Sequence, residues 1–268
     1  MSVPRQFPNG LSILTLAAVL WATTAWTRPG DTSGAKPGQG TATSGGASDS
    51  AAELKLVIAL MDRMASNFHT TQAKFVWTQY TSVVNETDVQ KGTVYFRRVG
   101  GQVEMAADVT EPTPKQVLFA DGKIQLYQPK INQLAQYDTG SHQDLVESFL
   151  VLGFGGSGQD MLKSFTVSYL GQEIVDGVAV AKLDLVPKSE KVRNNFEHIQ
   201  LWIDLAKGVS CEQKLFAPDN DYRLANYFDI RLNEKIPDSA FKLKNAGKRA
   251  ALVPQNGTLS EAGSPASR

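Results

Sequence analysis

The segment Val117 to Tyr137, VLFADGKIQLYQPKINQLAQY, fits few arrangements other than a three-stranded antiparallel meander. Val117, Leu118 and Phe119 lead into Asp121-Gly122, a dipeptide that tolerates the positive φ of a two-residue hairpin turn. Ile124, Leu126 and Gln128 leave that turn with period-two alternation. Pro129-Lys130 then supplies the fixed φ of a second corner, after which Ile131 to Tyr137 run back. A hairpin cannot bury an apolar face by itself, so the rest of the chain must widen this sheet and cover one side of it.

The same alternation recurs along most of the chain. Phe75 and Trp77 alternate with Lys74, Val76 and Thr78, and residues 83–90 are polar and turn-rich. Gly92 to Arg98 reads as a returning strand closed by Gly100-Gly101, and Val103 and Met105 begin a third. Glu111-Pro112-Thr113-Pro114 interrupts the ladder, because Pro lacks the N–H that a ladder needs. After the meander, strands are expected at 165–170, 173–175, 178–186, 196–203, 209–216 and 222–232, with a last short one at Phe241-Lys242-Leu243. Two stretches follow helical spacing instead. Leu54, Val57, Ile58, Met61, Ala65 and Phe68 form one stripe behind a Ser50…Glu53 capping box, predicting an amphipathic helix over 51–68. Leu145, Val146, Phe149, Leu150 and Leu152 predict a helical insertion around a glycine hinge. The fold class is therefore mainly β (α+β): a single, strongly curved antiparallel sheet of about eleven strands forming an unclosed β-barrel. The N-terminal helix and the insertion are the elements available to cover its concave face.

The ends are not domain-like. Arg5, the apolar run Leu11 to Leu20 and the small residues Ala22 to Ala25 have the order of a cleaved secretory signal over 1–25, which marks the chain for export. The apolar run is about half of what crosses a bilayer. Residues 26–50 read as a disordered Gly/Ser/Thr-rich linker, 51–247 as one domain and 248–268 as a disordered tail. The 27 bases balance 27 acids, and loss of 1–25 removes Arg5 alone, so no charge excess invites nucleic acid. Cys211, the single cysteine, excludes an internal disulfide and reads as a small buried hydrophobe.

Signals for catalysis are few. His69, His142 and His198 make no H-x-x-x-H or H-x-H pair, so neither a metal nor a cofactor is expected. Gly153, Gly155 and Gly158 match G-x-G-x-x-G, but no βαβ unit surrounds them, and that fingerprint needs one. Ser157 lacks the G-x-S-x-G elbow, because Gln159 stands where glycine is required. A hydrolase acting on lipid esters through Ser157 or His142 is the least favoured reading. Two other features are more informative. Phe149, Leu150, Leu152 and Phe154 lie beside glycine hinges, where they either complete the core or act as a lid over an apolar cavity. Arg97-Arg98 closes a strand, where taken alone it reads as an edge charge that guards against aggregation.

Taken together, F-x-W-T-Q (Phe75 to Gln79), G-T-V-Y-F-R-R (Gly92 to Arg98), V-L-F-A-D-G-K (Val117 to Lys123), L-Y-Q-P (Leu126 to Pro129), Asn132-Gln133, L-x-L-V-P-K (Leu183 to Lys188) and F-K-L (Phe241 to Leu243) resemble, in order and spacing, the LolA-like periplasmic carriers of outer-membrane lipoproteins. The resemblance spans about residues 51–247. It implies an open barrel with a helical lid, a non-enzymatic monomer, and a cavity for the acyl chains of lipoproteins or other lipids. Phe75, Trp77, Phe96, Met105, Leu118 and Leu126 are the lining residues expected on this basis. It further implies an inner-membrane release complex and an outer-membrane receptor as partners, and at Arg98 a side chain that latches the lid. The chain departs from the family at Val99-Gly100, where Pro usually follows the Arg, and at Val103-Glu104-Met105, where the family has more aromatics. A related open-barrel protein that binds or senses lipid without passing lipoproteins on is the alternative.

Overall fold

The computed structural model describes residues 47–140, 152–244 and 251–254. The expected signal peptide, and Phe149 and Leu150 of the insertion, lie outside them. One helix precedes the sheet, α1 (Ala47–Ser66), and twelve strands follow: β1 (Thr70–Thr81), β2 (Glu86–Val99), β3 (Gln102–Glu111), β4 (Lys115–Ala120), β5 (Lys123–Gln128), β6 (Gln133–Asp138), β7 (Phe165–Val175), β8 (Val178–Pro187), β9 (His198–Asp204), β10 (Ser210–Phe216), β11 (Tyr222–Leu232) and β12 (Ala251–Pro254). Short helices α2 (Gly158–Ser164) and α3 (Glu190–Arg193) lie between strands.

All twelve strands form one sheet in the order β12-β6-β5-β4-β3-β2-β1-β11-β10-β9-β8-β7, with β12 and β7 at the two edges, so the barrel is unclosed as expected. Neighbours are antiparallel except β12, which pairs parallel with β6. The long connection is β6 to β7, which lie at opposite ends of the strand order; β1 and β11 close the middle.

The turns obey local chemistry. Asp121 (φ 51°) and Gly122 (φ 66°) make the β4–β5 turn, and Asp176 (φ 49°) and Gly177 (φ 80°) make the β7–β8 turn. Pro129–Ile131 form a 3-10 turn closed by Asn132 in the left-handed region. Gly92 bends the sheet: a β-bulge sits at Lys91/Gly92, and a Cβ there would lie 2.1 Å from the Asp108 carbonyl oxygen and 2.8 Å from the Phe75 ring.

Several expectations are corrected. Helix α1 starts at Ala47, so Ser50 lies within it, and Asp49 occupies the first turn, where a negative charge suits the helix dipole. Strand β2 starts at Glu86 rather than Gly92. Of the turn-rich residues, 86–90 pair with β1, Thr81 against Glu86, because polar side chains suit a two-sided exposed hairpin tip, while 82–85 form the turn itself. Residues 165–175 form one strand, with a bulge between Tyr169 and Gly171 in place of a break. Phe241 to Leu243 form no strand. Asp238–Phe241 is a 3-10 turn strapped over the outer face of β2 and β3, with the Arg97 guanidinium 4.1 Å above the Phe241 ring and 2.7 Å from Asp238. The tail expected to be disordered contributes β12, which brings the count to twelve.

The core forms two adjoining apolar clusters on the concave face. The first joins Phe68, Phe75, Trp77, Phe96, Met105, Phe119 and Phe154 among others. In the second, Val57, Ile58 and Met61 of α1 pack with Leu152, Met161 and the inner residues of β8 and β9. Thus α1 covers the sheet with the stripe that its periodicity predicts. Substituting Gly92→Ala should cost about 1–3 kcal/mol, because the bulge cannot admit a Cβ without shifting backbone. Urea unfolding would show this as a lower midpoint with an unchanged slope.

Candidate functional site

The concave face of the open sheet is the candidate site. Of the residues expected to line a cavity, Phe75, Trp77, Phe96, Met105 and Leu126 are each at most 5% exposed and share the first core cluster. Leu118 does not belong with them. In β4 the inward residues are Lys115, Val117 and Phe119, while half-buried Leu118 faces outward beside Gln116, Lys242 and Leu243. A one-residue change of frame exchanges the faces of a strand, and period-two alternation alone does not say which set is inside.

Residues 152–157 lie over this face. Phe154, 1% exposed, stacks on Phe96 (centroids 5.3 Å apart) and meets Tyr227 edge-on (4.5 Å). Burial raises the Tyr227 phenol pKa, and a hydrogen bond with Trp77 opposes that rise. Leu152 packs with the second cluster. Both of the lid residues that are described are therefore seated in the core. The Gln213 Nε2 donates to the Leu152 carbonyl (2.5 Å), and the Ser210 N–H donates to the Gly153 carbonyl (2.7 Å).

Arg98 joins this segment to the helix. Its guanidinium donates to the Gly155 carbonyl (3.3 Å) and the Ala65 carbonyl (3.5 Å) and lies 5.5 Å above the Phe68 ring. These are long contacts, and weak ones by geometry. Around them, α1, residues 152–165 and the rim at Arg98 and Val103 line an open cleft of about 850 Å³.

One residue in this arrangement, Asp62, escaped sequence reasoning. Asp62 on α1 accepts from the Ser157 hydroxyl (2.9 Å) and from the Gln159 N–H (3.0 Å), while Ser157 caps α2 by accepting from the Asp160 N–H (3.2 Å). Ser157 thus acts as a helix cap tied to α1. The Ser157-x-x-Asp160 spacing at the head of a helix was the available signal, though it could not name the distant Asp62. Gly155, at φ 89°, presses on Phe68: a Cβ there would lie 2.5 Å from the ring. His198 pairs with Asp184 (2.5 Å) and stacks on Phe216, away from this segment. His142 is outside the described residues. Cys211 is half-buried, and its thiol is pushed up to about 11 by burial and nearby acids, which suits a packing role. Among the described residues no helix is long and apolar enough to cross a membrane.

Solved structures similar to the chain include MucB (12% identity, TM-score 0.47, covering 75% of this chain) and a LolA superfamily protein from Nitrosomonas europaea (11%, 0.36, covering 71% of this chain and 97% of that one). A third is the Mycobacterium tuberculosis lipoprotein LppX (12%, 0.42, covering 69% and 98%). The chain spans 65% of the length of MucB. No protein-family model and no curated protein matches the chain.

Replacing Gly155 with Ala should disturb the seat of this segment, since both the positive φ and the Phe68 contact oppose a side chain. The expected result is a loss of about 1–3 kcal/mol and stronger fluorescence of an apolar dye at the exposed concave face.

Proposed function

We propose that the protein is a periplasmic, non-enzymatic carrier that shelters the acyl chains of lipoproteins on its concave face and moves them from the inner to the outer membrane. The observation that carries this reading is Phe154. An aromatic ring from a glycine-flanked segment occupies the apolar face of an open sheet, and that segment is fastened by a handful of hydrogen bonds. A group held in this way can be exchanged for another apolar one.

The energetics suit such an exchange. Burying a methylene yields about 0.8 kcal/mol, so ten of an acyl chain contribute about 8 kcal/mol, enough to offset displacement of one aromatic ring. Each latch hydrogen bond contributes on the order of 1 kcal/mol net, so cargo or a receptor can shift the balance between closed and open forms. A release complex at the inner membrane and a receptor at the outer membrane are the partners in this scheme, and the carrier works as a monomer. The lining is Phe75, Trp77, Phe96, Met105 and Leu126, with Leu152 and Phe154 in the lid and Arg98 as its latch.

Native mass spectrometry of protein purified from the periplasm is the direct test. Bound lipid or lipoprotein is the expected result, and its absence from every preparation would overturn the reading. The Arg98→Leu variant removes about 1 kcal/mol of latch, which corresponds to a roughly fivefold shift toward the open form. It should retain more cargo than wild type in the same measurement; release equal to wild type would remove Arg98 from the scheme.

A further inference from the structure

The end of the concave face remote from Arg98 is polar, and nothing in a purely apolar shelter accounts for it. Gln90 is 1% exposed, yet neither its amide oxygen nor its amide nitrogen has a hydrogen-bond partner among the described residues. An orphaned buried amide is costly and rare. Lys115 is 6% exposed on the same face, pointing inward with Val117 and Phe119. The Arg223 Nη1 is likewise buried without a hydrogen-bond partner, its guanidinium lying 5.5 Å above the Phe196 ring, and Arg223 shares its strand face with core residue Ala225.

Strand register places Gln90 between the other two, with Lys115 two strands away on one side and Arg223 two strands away on the other. Lys115 pairs with Val109 and Val109 with Gly92, one pleat repeat from Gln90. On the other side, Arg223 pairs with Gln79 and Gln79 with Asp88, again one repeat from Gln90. At usual strand spacings the Cα atoms of Lys115 and Arg223 each lie about 12 Å from that of Gln90, and sheet curvature brings the side chains closer. The strip from Gln90 to Arg98 along β2 is about 26 Å long by strand rise. It is floored by Val94, Phe96 and their apolar neighbours.

We propose that Gln90, Lys115 and Arg223 form a subsite for the phosphate-bearing headgroup of an amphiphile whose acyl chains lie along the apolar strip toward Arg98. This rests on the reading of the concave face as a shelter for acyl chains and adds a phospholipid to its cargo, because the diacylglyceryl anchor of a lipoprotein carries no phosphate. Two cationic side chains suit an oxyanion, and an amide unpaired at both atoms suits a group that accepts and also donates. A phosphate with a neighbouring hydroxyl does both; a plain hydrocarbon end does neither. Three acids border the subsite. Asp88 is exposed on the same face and partly offsets the burial that pulls the Lys115 pKa down to about 8. Asp219 and Asp221 act on Arg223 but serve the hairpins: Asp221 accepts from the Ser82 N–H (2.7 Å) and Asp219 from the Asp221 N–H (3.2 Å).

The test compares phosphatidylglycerol with diacylglycerol of matched chains, and with soluble glycerol phosphate, on the full-length protein, Gln90→Leu and Lys115→Met. Wild type should prefer phosphatidylglycerol. Each variant should lose that preference by about tenfold or more while binding diacylglycerol as before. Gln90→Leu should also melt higher than wild type, because it removes an unpaired amide. Variants that keep the preference overturn the subsite and leave the sheltering reading standing. Glycerol phosphate bound as tightly as the lipid, and dependent on Lys115, would make this a free-anion site and overturn the lipid assignment. A wild type that binds neither lipid overturns the sheltering reading itself, and the subsite with it.

Discussion

Among the described residues, a sheet of twelve strands with β12 and β7 at its edges has an apolar concave face and no second sheet to meet it. Covering that face is the constraint on which the rest of the molecule depends. Helix α1 supplies one cover through Val57, Ile58, Met61 and Ala65. Phe154 supplies the other by entering between Phe96 and Tyr227. The two covers are held by different means. The helix presents a continuous stripe to both core clusters, whereas the glycine-flanked segment presents one deeply seated ring and a short series of backbone hydrogen bonds.

This difference in attachment gives the fold its functional character. Gly153 and Gly155 adopt positive φ, and Gly155 lies where a side chain would strike Phe68, so the segment approaches α1 more closely than other residues allow. Arg98 bridges both covers and couples any movement of the segment to the end of α1. Because the covers and the sheet meet through apolar surface, an acyl chain carried as proposed would compete for the same contacts that close the molecule. At the far end of the sheet, the Gln90 amide without a hydrogen-bond partner, buried Lys115 and half-buried Arg223 give the concave face a polar end.

Much of this was legible from residue pattern. Asp121-Gly122, Asp176-Gly177 and the Pro-rich break at residues 111–114 mark strand ends through local backbone chemistry, and α1 follows from spacing. The misplacements share a cause. Leu118 and Val117 are equally apolar, and which faces inward depends on neighbours far away in sequence. Strand β12 lies in a stretch without alternation because its order comes from parallel backbone pairing with β6. The polar tip of β1 and β2 reads as loop because its pairing needs no apolar face.

By itself, the sequence determined that the chain is a wide antiparallel sheet with one amphipathic helix, since turn dipeptides and periodicity are local properties. It also marked Arg98 and Phe154 as residues of interest. Only the tertiary structure decided which side of each strand is buried, that Ser157 is a cap bound to Asp62, and that Gln90, Lys115 and Arg223 share one end of the concave face. Those facts come from register across five strands and from curvature. Both arise from many weak contacts between residues far apart in the chain, which no local pattern encodes.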